Sequence, residues 1–272
     1  MLREEKGPPP AARRLRGRRR AGVAHGTLRI AVVSDIHSNG DALDTLAREL
    51  DRLRPDRVVH LGDLVGYNAE PEKCVRWAMA NCSEGILGNH DAVVCGKAGG
   101  EFFHKPALQA ARWSAERVSE ESLDYLSGLP VRATLPGGLL LVHGAPSDPD
   151  RYLFLTEDAE EEMDLLGESE GLRLVLFGHT HLPTAFVRRE EGGVVSAPLK
   201  NFRLAEKESA MLNPGSVGQP RDRDPRACFL VVDTGSWEAS WIRVSYDVER
   251  CRTRVLEAGL PRFFASRLAD GT

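Results

Sequence analysis

No stretch of the chain approaches the ~18 consecutive apolar residues that a membrane-spanning helix requires, and no C-x-x-C pair occurs among its five cysteines, Cys74, Cys82, Cys95, Cys228 and Cys251. The first absence excludes an integral membrane protein. The second, together with an odd cysteine count, argues against a disulfide framework or a thiolate zinc site and favours a reducing, cytoplasmic setting. No internal repeat is evident, which sets aside solenoids and propellers.

Basic residues are scarce once the first 26 positions are removed. Those positions hold eight of the 36 Lys and Arg but only two of the 40 Asp and Glu, which leaves 28 basic against 38 acidic residues in the body of the chain. A body with that balance offers no electrostatic footprint for nucleic acid. The run Arg13-Arg14-Leu15-Arg16-Gly17-Arg18-Arg19-Arg20, preceded by Pro8-Pro9-Pro10, has almost nothing to bury and reads as a disordered basic arm over residues 1–26. It contains twin arginines but not the apolar core of an export signal, so export is not expected. What remains, within a chain 42% hydrophobic and 28% charged, is long enough for one large core.

From Leu28 the pattern changes abruptly. Leu28-Arg29-Ile30-Ala31-Val32-Val33 is a short, mostly β-branched run of the buried-strand type. Leu43, Leu46, Leu50 and Leu53 then recur at helical spacing before Pro55, and Arg57 to Leu61 reads as a second strand. The alternation continues with helices near Pro71 to Ala80 and Pro106 to Leu126, and with strands near Glu84 to Leu87 and Leu139 to Val142. After a helix near Asp158 to Leu166 and a strand at Leu172 to Phe177, strands follow one another without helices between them: Thr184 to Arg188, Val194 to Ala197, Ala210 to Leu212, Cys228 to Asp233 and Glu238 to Val244. This order predicts an α/β protein in which two mixed β-sheets stack and helices flank them, a four-layer α-β-β-α sandwich. One domain over residues 27–245 is expected, followed by a helical tail over 246–272 that Gly259-Leu260-Pro261 interrupts.

In open α/β sheets, ligands gather beyond the carboxyl ends of the strands. Here the residues just past five successive apolar runs are Asp35-Ile36-His37, Gly62-Asp63, Gly88-Asn89-His90-Asp91, His143-Gly144 and Gly178-His179-Thr180-His181. Each alone is ordinary, because a histidine after a strand is commonly a hydrogen-bonded structural residue and an aspartate there a helix cap. Together, four of the eight histidines, two aspartates and one asparagine converge on one sheet edge, and no structural economy accounts for burying so many polar groups at one place. The pattern therefore predicts a metal site. Imidazole and carboxylate donors without thiolate suit Mn, Fe, Zn, Co or Ni better than Mg or Ca, with Mn the leading expectation. The remaining histidines have plainer readings: His25 lies in the arm, His60 is a buried strand residue, and His104 lies in a loop that can at most form a lid.

The series Asp35-x-His37, Gly62-Asp63, Gly88-Asn89-His90-Asp91, His143 and Gly178-His179-x-His181 resembles, in order and spacing, the five-block signature of the calcineurin-like metallophosphoesterases, over residues 28 to about 233. The segment Asn213-Pro214-Gly215-Ser216-Val217-Gly218-Gln219-Pro220-Arg221, followed by Asp224-Pro225-Arg226, further resembles a bacterial branch labelled metallophosphatase or diadenosine-tetraphosphatase-like. The resemblance implies one metal ion on Asp35, His37 and His181, a second on Asn89, His143 and His179, and Asp63 bridging the two. It implies hydrolysis of a phosphomonoester, a phosphodiester or a dinucleoside polyphosphate by metal-activated water. His90 would act on the phosphate or the leaving group, oriented by Asp91, and Arg221 and Arg226 would bind phosphate. The expected partner is a small phosphorylated or nucleotide substrate. Two rival readings are a catalytically silent scaffold of this fold and a protein phosphatase. Against the latter, Asp63 is followed by Leu64-Val65-Gly66-Tyr67-Asn68, where the phosphoprotein phosphatases continue towards an Asp-Arg-Gly.

Overall fold

The computed structural model describes residues 27–167 and 171–272; the arm expected over residues 1–26 lies outside the described residues. Strand β1 (Arg29–Val33) leads into helix α1 (Gly40–Leu53), which returns the chain to β2 (Arg57–His60); α2 (Pro71–Asn81) then leads to the two-residue β3 (Glu84–Gly85). Both crossovers give parallel pairs, β1 with β2 and β2 with β3, so all three strands point their carboxyl ends the same way. Helices α3 (Asn89–Val94), α4 (Lys105–Ala115) and α5 (Glu120–Gly128) follow, then β4 (Arg132–Leu135), β5 (Leu139–Val142), α6 (Thr156–Leu166) and β6 (Leu174–Leu176). The last part consists of β7 (Pro183–Arg188), β8 (Val194–Ser196), β9 (Phe202–Arg203), β10 (Ser209–Pro214), β11 (Ala227–Asp233), β12 (Glu238–Val244), α7 (Val248–Glu257) and α8 (Arg262–Asp270).

Among the described residues the strands form two six-stranded mixed sheets, ordered β3-β2-β1-β11-β12-β9 and β4-β5-β6-β10-β7-β8. The alternation of strand side chains sorts the core into layers. Ile30 and Val32 of β1, with Leu230 and Val232 of β11, face Leu174, Leu176 and Leu212 of the other sheet. Ala31, Val33, Phe229 and Val231 point the opposite way, onto Leu43, Leu46 and Leu50 of α1 and Val75 and Ala78 of α2. Beyond the second sheet, Val175, Phe177, Phe186 and Met211 pack on Ala159 and Met163 of α6. The four-layer α-β-β-α sandwich is therefore the observed fold.

Several elements differ from expectation. Of the strand expected near Glu84 to Leu87 only Glu84–Gly85 pairs as β3, the two-residue β9 is too short for any periodicity, and α3 begins at Asn89 itself, so His90 stands in a helical first turn. The tail forms two helices on either side of the Gly259-Leu260-Pro261 break, where Gly259 at φ 69° lets the chain reverse. That hairpin docks on the body: Cys251, Val255, Phe264 and Leu268 bury against Tyr67, Ala107 and Ala110. A chain starting at Gly26 retains every described strand and helix, so its melting temperature should match that of the full chain. A clear drop in a thermal melt would show that residues 1–25 pack on the domain.

Candidate metal centre

The carboxyl ends of β1, β2, β5 and β6 and the turn after β3 meet at one edge of the two sheets. There the backbone is strained: Asp35, His37, Asp63, His179 and His181 all have φ between 46° and 67°. Non-glycine residues in this region cost on the order of 1–3 kcal/mol each, and such strain collects at functional sites. Close approach of the loops depends on glycine. A Cβ on Gly88 would strike the backbone and carboxylate of Asp63, and one on Gly66 would strike the His90 ring.

The imidazoles are oriented from behind by backbone carbonyls. Nδ1–H of His37 donates to Val65 O at 3.0 Å, that of His143 to Leu61 O at 2.7 Å, and that of His181 to Gln219 O at 2.6 Å. A carbonyl only accepts, so in each ring Nε2 is left facing the centre, the arrangement that orients metal-binding histidines. His179 is turned round: its Nε2 lies 3.1 Å from Asp150 O, which leaves Nδ1 for the centre. The Gln219 carbonyl belongs to the segment after β10, which is itself tied down. Ser216 Oγ donates to Asp35 O, the Gln219 amide donates to Ser216 Oγ, and Asn213 Nδ2 donates to Gly178 O. The Asn213–Arg221 stretch is thus a brace for the ligand loops.

Two groups of donor atoms result. Asp35, His37 and His181 bring one ligand atom each to within 4.8 Å of one another, as do Asp63, His143 and His179. Asn89 Oδ1 joins the second group, 3.1 Å from His143 Nε2. Between them stands Asp63 Oδ2, 3.5 Å from His37 Nε2 and 3.4 Å from His143 Nε2. Its other oxygen accepts the His90 backbone N–H at 2.9 Å, which fixes the carboxylate plane.

These contacts are poor unless a cation completes them. Nε2 of His37 and Nε2 of His181 lie 3.1 Å apart with their lone pairs converging. Asp35 Oδ1 is fully buried without a hydrogen bond, although His181 Nε2 is 3.3 Å away. A buried charged oxygen without a partner costs ~1–3 kcal/mol or more. Burial holds the pKa values of His37 and His181 well below the usual imidazole range, His179 at about 3 and His90 at about 4, so these rings are neutral donors at pH 7. His143 behaves oppositely: burial would lower it, but the charge of Asp63 and its hydrogen bond draw it up to about 10. Asp35 is pushed up to about 6 by burial. The donor set fits divalent transition-metal ions.

The calcineurin-like phosphoesterase superfamily domain matches residues 28–236, the span that contains all seven donors. The chain belongs to this superfamily. An uncharacterized protein of Methanocaldococcus jannaschii is 32% identical over 246 residues, which cover 89% of this chain and 98% of that protein. A metallophosphoesterase from Sphaerobacter thermophilus of known structure is 31% identical, with a TM-score of 0.75 over 91% of this chain and all of that one. A Pyrococcus horikoshii OT3 protein, 19% identical, shares the fold with a TM-score of 0.74 over 90% of this chain and 98% of its own. The superfamily binds divalent metals, in agreement with the donor groups found here.

The centre opens into a cavity of about 470 Å³, lined among others by Asp63, His90, Tyr152, His179, Arg221 and Arg267. His90 brings a ring nitrogen within 4.8 Å of the ligand atoms of His37 and Asp63. Its ring is wedged between Tyr67 and Phe103, both with centroids 4.5 Å away, and its buried Nδ1 makes no hydrogen bond. Asp91 does not orient it. The Asp91 carboxylate accepts the backbone N–H groups of Leu64, Val65 and Gly88 and so joins the loops after β2 and β3. Arg226 is likewise not brought to the site: it forks onto Asp224 and does not line the cavity. Arg221 does reach the wall, with a guanidinium nitrogen 3.3 Å from Tyr67 Oη. His104 lines the cavity and caps α4, its Nδ1 accepting from Ala107 N, and His60 is buried against Tyr125. Sequence reasoning missed Tyr67, Arg267 and Tyr152, whose ring stacks 4.0 Å from that of His179. Tyr152 lies in the loop that follows the His143 block, a segment expected from the sequence to wall the pocket.

Proposed function

We propose that this chain is a dinuclear metal-dependent phosphoesterase acting on a small phosphorylated or nucleotide substrate. The observation that carries this reading is Asp63 Oδ2 placed between two separate imidazole sets, the position a bridging ligand takes. Asp35, His37 and His181 would hold one ion, Asn89, His143 and His179 the other, and Asp63 both. Mn is the leading candidate, with Fe, Zn, Co and Ni chemically compatible. Bound there, such ions would neutralise phosphoryl oxygens and acidify a water at neutral pH.

The chain's own groups supply the rest. Arg221 offers a guanidinium to an anionic group of the substrate. His90, which burial keeps neutral, presents an imidazole to the leaving-group side, and the negative charge of a bound phosphoryl group raises its proton affinity. Tyr67 and Phe103 hold that ring from two sides. The five unpaired cysteines favour a cytoplasmic setting, and among the described residues no helix is long and apolar enough to cross a membrane.

A panel of a chromogenic phosphodiester, a phosphomonoester and diadenosine tetraphosphate, assayed with Mn, tests the proposal, and absence of turnover on all three would favour the silent-scaffold reading. Metal loading should also depend on pH. His143 carries a proton at neutral pH that a metal must displace, and Asp35 carries one below about pH 6, so binding tightens as pH rises. Calorimetric titration with Mn should show proton release and an affinity that rises roughly tenfold per pH unit between pH 6 and 8. An affinity independent of pH would show that no proton is displaced from His143 or Asp35 when metal binds.

A further inference from the structure

The cavity holds more positive charge than one phosphoryl group over two ions requires. Arg221, from the brace after β10, and Arg267, from α8, both line it. Among the described residues neither has an Asp or Glu side chain within 4.0 Å, although most other arginines here are paired. Arg221 makes only long contacts, 3.3 Å to Tyr67 Oη and 3.4 Å to Gln219 Oε1, and its buried Nε has no partner. Arg267 is half-buried, its Nε donates to an oxygen of the terminal carboxylate of Thr272, and its guanidinium carbon lies 5.1 Å from the centre of the Phe263 ring.

The placement of Arg267 follows from packing. Phe264 is fully buried, with its ring 4.7 Å from that of Tyr67, and Arg267 is three residues further along the same helix face. Docking of Phe264 therefore brings Arg267 to the wall that Tyr67 shares with Arg221. Two partly desolvated guanidinium groups line the same space: Arg221 has no carboxylate beside it, and the one carboxylate that Arg267 meets is the terminal one of Thr272. Burial, and after it the nearby charge of Arg221, lowers the proton affinity of Arg267. The acidic side chains that also line the cavity are Asp63, which belongs to the metal centre, and Glu101 and Asp150, neither of which reaches an arginine.

We infer that Arg221 and Arg267 form a subsite for a second anionic group, so that the substrate is a phosphate ester carrying a further phosphate or carboxylate besides the scissile group. The inference rests on the phosphoesterase reading for its place in catalysis but not for binding. Arg221 lies within the matched domain of residues 28–236 and Arg267 outside it, on the C-terminal helix, so the subsite joins the two.

Two chromogenic diesters that differ by one phosphate test it: thymidine 5′-(p-nitrophenyl phosphate) with and without a 3′-phosphate. With the Mn-loaded full chain, kcat/KM should favour the 3′-phosphorylated ester by about tenfold or more, as expected for charge-assisted hydrogen bonds. In Arg267→Gln that ratio should fall to near one, and Arg267→Lys should keep part of it. Equal losses on both esters would mean that Arg267 holds the scissile phosphate or the fold, and would overturn the subsite. Thermal shifts of the full chain with thymidine 3′,5′-bisphosphate and with thymidine 5′-monophosphate provide a readout independent of turnover. Greater stabilisation by the bisphosphate, lost in Arg267→Gln, supports the subsite even if neither ester is hydrolysed. Equal stabilisation by both nucleotides overturns it.

Discussion

Asp63→Asn should lower kcat on any good substrate by about 10³-fold or more, because the substitution removes the charge shared by both halves of the centre. The side chain keeps its size and can still accept the His90 backbone N–H at Oδ1. What is lost is Oδ2, which stands 3.5 Å from His37 Nε2 and 3.4 Å from His143 Nε2 and is replaced by an amide group that cannot bridge two cations. His143 loses the carboxylate that holds it protonated, so its pKa should also drop. Steady-state rates and metal analysis of the same preparation check this expectation. Near wild-type rates with full metal content would remove Asp63 from the bridging role.

His90→Ala separates catalysis from metal binding. Its ring nitrogen approaches the His37 and Asp63 atoms, yet both groups of donors are complete without it. The variant should therefore retain both ions while losing ~10² to 10⁴ in rate, the usual contribution of a positioned acid or base. The loss should be smallest for a nitrophenolate, which departs with little protonation, and largest for an alkoxide or ribose oxygen. If His90 merely supports the turn, losses will be equal across leaving groups and metal content will fall. Phe103 and Tyr67 would then close over the gap left by the ring.

The seven donors were legible because each stands directly after an apolar run, and the parallel pairing of β1, β2 and β3 makes chain order into spatial order. The same logic failed for residues whose position depends on packing between distant elements. Arg267 reaches the cavity only because Phe264 is seated against Tyr67, a contact between residues almost 200 positions apart. Arg226 and Arg221 are chemically equivalent in the sequence, but Asp224, two residues before Arg226, captures it, while Asp222, the neighbour of Arg221, is engaged by Arg243. Asp91 was expected to face its neighbour His90. A helical first turn sends the two side chains in different directions, and three backbone N–H groups converge on the carboxylate. The strand β9, two residues long, owes its existence to pairing with β12 and has no pattern of its own to detect.

One centre built on Asp35, His37, Asp63, Asn89, His143, His179 and His181 should take up two divalent ions and require both to hydrolyse phosphate esters. Titration of the metal-free full chain with Mn, following bound metal and hydrolysis of a chromogenic diester in the same samples, tests it most directly. The predicted result is saturation at two ions per chain, with activity rising as the second ion binds. Saturation at one ion, or hydrolysis by chain free of metal, would contradict it.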